Sequence, residues 1–197
     1  LTHIFECGQC FRWNPYNKGY IGCAGNHAAE VYYEAEENNV LTIKSIGEPI
    51  NVDFWFNYFD LSRDYGKIKE ELHKKDRFLQ HAVEYGYGIR ILNQDIYETL
   101  ISFIISANNN IPRIKGCIEK LAFNFGDIIS EGIYSFPTPE TIAALSSDEI
   151  SECCHVGYRC RYIEKSSKLF ITKNPGISEL MKMKRDEARK TLLEYTG

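Results

Sequence analysis

Apolar and polar positions follow two rhythms along this chain, and the change falls near residue 59. Up to Phe59 the apolar residues come in short β-prone runs, GYIGCAG at 19–25, HAAEVYYEAEENN at 27–39 and VLTIKSI at 40–46. Pro15, Gly19, Gly25 and the Asn38-Asn39 pair punctuate them, which predicts an antiparallel sheet. Beyond Tyr58 the spacing becomes helical. It predicts a surface helix over 64–75, a second over 76–86 ending at Gly86, and a largely buried one over 95–107 that opens on Asp95. The run 108–126 starts with three asparagines suited to capping, carries Pro112 in its first turn and closes on Gly126. Runs 138–146, 146–154, 159–171 and 178–195 continue the helical series. The predicted fold class is α+β, an antiparallel β domain over 1–59 followed by an α-helical domain over 60–197.

Composition narrows the class without changing that picture. The 197 residues are 44% hydrophobic, enough for real cores. The most apolar stretch, Leu100 to Ala107, is far too short to cross a bilayer, and no secretory signal is visible, so the expectation is a soluble cytoplasmic protein. Seven cysteines, an odd number in a domain large enough not to need staples, read as reduced thiols. A net charge of −4 argues mildly against a nucleic-acid partner. Locally the balance reverses, because Arg159, Arg161, Lys165, Lys168 and Lys173 face a single acid, Glu164, between Cys153 and Lys173.

Three stretches hold candidate chemistry. FECGQCFRW, at 5–13, contains Cys7-Gly8-Gln9-Cys10, but FRW running into Asn14-Pro15 reads as a strand entering a turn rather than a redox helix. Cys153, Cys154 and His155 are the only improvised second ligand set, and adjacent cysteines match zinc spacing poorly. Two small buried thiols are the plain alternative to a zinc or redox site. Asn108, Asn109 and Asn110 form an amide-rich corner followed by Arg113; such amides either cap helices or read base edges. HVGYRCRYI, at 155–163, sets Tyr158 between a glycine and the arginines Arg159 and Arg161 at a helix start. That pattern suits either a snorkelling arginine pair beside a core tyrosine or a wedge entering a duplex.

The three stretches together resemble the 8-oxoguanine DNA glycosylases. ECGQCFRW is similar to that family's G-Q-S-F-R-W, ETLISFIISANNNIPRI to its helix ending in an asparagine run and I-x-R-I, and VGYRCRYI to its G-Y-R-A-R-Y. GIRILNQD, ahead of the buried helix, is similar to R-L-L-R-Q-D, and order and spacing agree over nearly the whole chain. Cys10 stands for a serine, and Pro112 and Cys160 for alanines; His155 is given no role. The resemblance implies a helix-hairpin-helix glycosylase with lyase activity that flips 8-oxoguanine out of double-stranded DNA, as a monomer with no membrane, metal or organic cofactor, in a bacterial cytoplasm. It implies that the Gly8 carbonyl reads the N7 hydrogen of the oxidised base. It also implies that Asn108 fills the vacated stack, that Arg113 and Arg159 donate to the orphaned cytosine, and that Tyr158 wedges beside it.

The same resemblance places the catalytic lysine in a hairpin motif that begins where ARKTLLEYTG ends, with an aspartate some twenty residues further on. No catalytic residue is therefore expected in this chain. Lys184, Lys190 and Arg185 read as a solvated face, and the chain alone is expected to be inactive while its parent is an enzyme. An alkylated-base glycosylase is opposed by GQCFRW. A non-enzymatic damage-binding module and a zinc or thiol-redox protein built on Cys7 and Cys10 are the readings from other classes.

Overall fold

The computed structural model describes residues 1–34, 40–174 and 176–195, so the Asn38-Asn39 turn and the closing Thr196-Gly197 lie outside the described residues. Contacts gather the chain into two compact units, one of residues 1–22 and 27–94, the other of 23–26 and 95–197. A four-stranded sheet precedes a mainly helical region, as the sequence predicts, and the structure is mixed α+β.

The sheet is a four-stranded meander of β1 (Trp13–Tyr16), β2 (Gly19–Ala24), β3 (His27–Glu34) and β4 (Val40–Ile46), in that spatial order. Trp13 lies opposite Gly22 across β1 and β2. Only glycine fits at 22, since a Cβ there would overlap the Arg12 carbonyl oxygen. Pro15 sits inside β1 rather than in the turn after it. As β1 is an edge strand, its missing N–H removes no ladder bond that the sheet needs. The reversal comes instead at Asn17, in left-handed backbone at φ 49°.

Two helices interrupt the region read as strands and turns. Helix α1 (Thr2–Phe5) is a single turn, and α2 (Val52–Tyr58) is capped by the Asn51 side chain, which accepts from the Phe54 N–H at 3.0 Å. Each packs aromatics into the first unit's core. Phe5 stacks on Trp13 with ring centroids 4.5 Å apart, Trp13 meets Trp55 edge-on at 5.9 Å, and Trp13 Nε1 donates to the Tyr58 hydroxyl at 2.8 Å. Helices α3 (Tyr65–His73) and α4 (Arg77–Tyr85) follow, with no buried residue in either.

The second unit begins with α5 (Ile96–Ser106), capped by Asp95, and α6 (Ile111–Phe125), which starts and stops at the predicted Asn110 and Gly126. A hairpin of β5 (Ile128–Ser130) and β6 (Ile133–Tyr134) then breaks the helical series. It turns at Gly132, φ 73°, and three- and two-residue strands carry too little periodicity to be read in advance. Helices α7 (Pro139–Ala143) and α8 (Ser147–Cys154) lead to a single 3₁₀ turn at Gly157–Arg159 and to α9 (Cys160–Lys173). The final stretch, read as one helix, is two: α10 (Gly176–Leu180) and α11 (Arg185–Leu192). Ile101, Ile105, Ile118, Leu121, Ile142, Ile150 and Ile163 form this unit's core.

Among the described residues no helix is long and apolar enough to cross a membrane. Cys154, wholly buried on α8, has its thiol pushed up to about 12 by burial first, then by neighbouring Cys153 and Cys117. The folded value lies above the unfolded one, so this contribution to stability is complete below about pH 8.5 and is lost as pH climbs toward the folded value. At pH 9, iodoacetamide is expected to modify exposed Cys153 and spare Cys154 in the folded chain, whereas both react in urea; peptide mass mapping distinguishes them.

Candidate functional site

In the first unit the CGQC turn is closed at its base by its own flanks. Phe5 and Trp13, both fully buried, stack on each other, so the seven residues between them form a loop with fixed ends. Ile4, in the last turn of α1, has a carbonyl that the short helix leaves without a helical partner. Three side chains of the loop converge on it: Gln9 Nε2 at 3.1 Å, Cys7 Sγ at 3.5 Å and Cys10 Sγ at 3.9 Å. Gly8 stands between them at φ 86°, a left-handed conformation that favours glycine.

Gln9 does more than cap α1. Its Nε2 also donates to the Arg90 carbonyl at 3.0 Å, and its Oε1 accepts from the Leu92 N–H at 3.1 Å. Its own carbonyl accepts from Gln94 Nε2 at 2.5 Å. One carboxamide thus serves the backbone of the extended segment 89–95 as a neighbouring strand would, and fixes the residue next to Gly8. Arg90 secures the other end: Nη1 donates to the Asp60 carbonyl at 2.8 Å, and the guanidinium lies 4.5 Å over the Tyr65 ring. Sequence reasoning noted GIRILNQD without finding this clamp, because the partners are 81 to 85 residues apart along the chain. The expectation of two buried thiols holds for Cys10 but not for Cys7, which is exposed. Both thiols face the Ile4 carbonyl, but Cys10, three residues ahead of the buried Trp13, is covered by the core while Cys7 is not.

The asparagine corner in the second unit divides its labour. Asn109 Nδ2 donates to the Ile105 carbonyl at 3.1 Å and so closes α5, while Asn110 Oδ1 accepts from the Arg113 N–H at 3.1 Å and opens α6. Asn108 is exposed in left-handed backbone at φ 49°, and among the described residues its side-chain amide makes no hydrogen bond. Capping therefore accounts for two of the three amides and leaves Asn108 over.

Arg159 gathers this corner to the 3₁₀ turn. The residue is only 5% exposed, and its Nε and Nη2 donate to the Ala107 carbonyl, Nη2 also to Asn108 at 3.2 Å, and Nη1 to Val156 at 3.3 Å. Tyr158, next to it, is 59% exposed, with the guanidinium 4.6 Å from its ring centroid. Arg113 projects from the first turn of α6 and is exposed. The Arg159 guanidinium thus joins Asn108 and Tyr158, Arg113 stands in the first turn of α6 in the same unit, and Gly8 is held in the other. His155, given no role from the sequence, ends α8 in left-handed backbone at φ 55°, and its carbonyl accepts from Cys117 Sγ at 3.8 Å. Lys184, Arg185 and Lys190 are all exposed on or beside α11. No three acids, histidines or cysteines among the described residues are arranged to hold a metal ion.

Replacing Gln9 with alanine leaves the Leu92 N–H and the Arg90 carbonyl without their partner. At about 1 kcal/mol per net hydrogen bond, Gln9→Ala is expected to lower the unfolding free energy by roughly 2–4 kcal/mol, read from urea denaturation.

Comparison with known proteins covers both units. Residues 1–100 match the family model "8-oxoguanine DNA glycosylase, N-terminal domain", and residues 101–192 match "HhH-GPD superfamily base excision DNA repair protein". An N-glycosylase/DNA lyase of Saccharomyces cerevisiae is 30% identical over 188 residues, covering 87% of this chain and 49% of that protein. The solved structure of MBOgg1 with a low-affinity DNA ligand is 39% identical, covers 100% of this chain and 68% of its own, and has a TM-score of 0.88. The Clostridium acetobutylicum 8-oxoguanine glycosylase/lyase, solved in complex with double-stranded DNA containing cytosine opposite 8-oxoG, is 36% identical. That match covers 99% of this chain and 67% of the other, with a TM-score of 0.87. The chain spans about half the length of the curated relatives it matches.

Proposed function

This chain belongs to the 8-oxoguanine DNA glycosylase family, and we propose that its protein excises 8-oxoguanine opposite cytosine from double-stranded DNA, then cleaves the strand as an AP lyase. The observation that carries this reading is the asparagine corner, where Asn109 and Asn110 are used in capping and Asn108 is left exposed, tied to Arg159 only through its backbone carbonyl.

Flipping a base costs a few kcal/mol in lost stacking, and the gap has to be filled. Asn108 fills it, with its amide free to bond to base edges. Arg113 and Arg159 donate to the orphaned cytosine, and Arg159 exchanges backbone carbonyls for the acceptors of the base as DNA arrives. Tyr158 wedges beside that cytosine and holds the kink. On the lesion side, the Gly8 carbonyl accepts from N7–H, which oxidised guanine has and guanine lacks. A normal guanine sets acceptor against acceptor, a penalty of about 1–3 kcal/mol for the unpaired carbonyl. A deprotonated lysine then attacks C1′ of the sugar, and its Schiff base permits elimination; no lysine of this chain is assigned that role. The protein acts as a monomer without metal or organic cofactor, in the compartment of the chromosome, a bacterial cytoplasm. We also place an antiparallel β domain over 1–59 and a helical domain over 60–197, a division supported by β4 ending at Ile46 and α3 beginning at Tyr65, whereas contacts keep residues 60–94 in the sheet-bearing unit.

Two measurements test it. Borohydride reduction of the full-length protein on an 8-oxoguanine:cytosine duplex is expected to give a covalent adduct, and none on an unmodified duplex; absence of any adduct removes the lysine mechanism. Arg113→Ala is expected to erode the preference for cytosine over other bases opposite the lesion by about 1–3 kcal/mol, the value of one good base contact. Unchanged opposite-base preference would sink the assignment of Arg113.

A further inference from the structure

The C-x-x-C pair is left unused by the proposed chemistry, yet its geometry is specific. Cys7 Sγ and Cys10 Sγ are directed at the same oxygen, the Ile4 carbonyl, at 3.5 Å and 3.9 Å, and neither is bridged. Sharing one acceptor holds the two sulfurs on the same side of a four-residue turn, no further apart than the sum of their two distances to that oxygen. Cys7 is exposed and Cys10 is 3% exposed. Such an asymmetry suits a two-thiol redox site, with an outer thiol that meets the oxidant and a protected one that resolves it. Between them stands Gly8, at φ 86°, the residue best able to absorb a change in the turn.

We propose that Cys7 and Cys10 are a peroxide-responsive dithiol whose disulfide displaces the Gly8 carbonyl and switches off discrimination of the oxidised base. The second half rests on the reading of Gly8 given above; the first does not. Cys7 sheds its proton and its thiolate attacks hydrogen peroxide; the O–O bond breaks, leaving a sulfenic acid and a hydroxide that takes up the Cys7 proton as one water. The Cys10 sulfur then attacks Cys7 Sγ and expels hydroxide, which takes up the Cys10 proton as a second water. Two electrons leave the thiols and the peroxide is reduced. A small dithiol reverses the bridge by exchange.

Anchoring directs the strain. The sulfurs must close to about 2.05 Å, which takes them off the Ile4 carbonyl. That carbonyl keeps Gln9 Nε2, and Gln9 stays pinned to residues 90 and 92. With Phe5 and Trp13 locked in their stack and Gln9 fixed, the slack in the turn lies at Gly8, so the peptide that carries its carbonyl rotates.

The test treats the chain with hydrogen peroxide and maps its peptides without reduction. A linked Cys7–Cys10 peptide, lighter by two hydrogens and absent from Cys7→Ser and Cys10→Ser, is the expected result. Serine is the residue the family motif carries at position 10, so Cys10→Ser keeps the fold. Both thiols remaining open to alkylation after peroxide, or Cys7 passing to sulfinic acid without a bridge, overturns the proposal. In the full-length protein, binding preference for an 8-oxoguanine:cytosine over a guanine:cytosine duplex is expected to fall about tenfold on bridging, the effect of misplacing one buried carbonyl. It should recover in dithiothreitol and stay unchanged by peroxide in Cys10→Ser. If the bridge forms and preference holds while Gly8→Ala lowers it, the coupling is overturned and the Gly8 reading stands. If Gly8→Ala also leaves preference intact, the Gly8 reading falls and only the redox site remains.

Discussion

Backbone outside helices and ladders still has carbonyls and amides to satisfy, and in this protein side chains from elsewhere in the chain supply the partners. The stretches that carry the proposed recognition residues, 6–12, 107–110 and 155–159, have little regular structure of their own. Gln9 and Gln94 hold the first against the extended segment 90–94, with both faces of the Gln9 carboxamide engaged. Arg159 holds the second to the third through the Ala107 and Asn108 carbonyls, and braces its own turn through that of Val156. Without these contacts buried polar groups would be orphaned, so the loops keep one shape, and a loop with one shape can present a single carbonyl or amide to a base.

Aromatic packing provides the anchorage for the first of these loops. Phe5 and Trp13 stand at its two ends and stack within a cluster that takes in Trp55, Tyr58 and Phe59. Rings of this size contribute heavily to a small core, and their edge-to-face and offset contacts fix orientation as well as burial. In the second unit the equivalent anchorage is aliphatic, with isoleucines of α5, α6 and α9 fully buried on either side of the asparagine corner. A corner between two such helices has little freedom, which lets Asn108 be held in left-handed backbone with its side chain outward.

Many of the helices were legible because their signals are local. Asp76, Asp95 and Asn110 each accept an N–H three residues ahead, as capping requires, and Gly86 and Gly126 end their helices. The elements that escaped are short. One turn of helix at Thr2–Phe5 and seven residues of α2 have no independent stability, and exist because packed neighbours bury Ile4, Phe5, Trp55 and Tyr58; the β5/β6 strands are only three and two residues long. Pro15 misled for a related reason: as punctuation it suggests a turn, but on an edge strand it costs nothing.

By itself the sequence determined the α+β order, the capped helices and the set of residues that carry the family resemblance, because each depends on neighbours within about a turn of chain. Tertiary structure alone decided that Cys7 is exposed while Cys10 is buried, that two asparagines cap and the third is left over, and that Arg159 is spent on backbone carbonyls. It also decided that Gln9, unremarkable in the sequence, is the fastening of the CGQC turn. For Gln9 and Arg159 the physical reason is distance along the chain, since a hydrogen bond between residues 50 to 85 apart leaves no trace in local periodicity; for the thiols and the asparagines it is that only the folded backbone shows which polar groups lack a partner nearby.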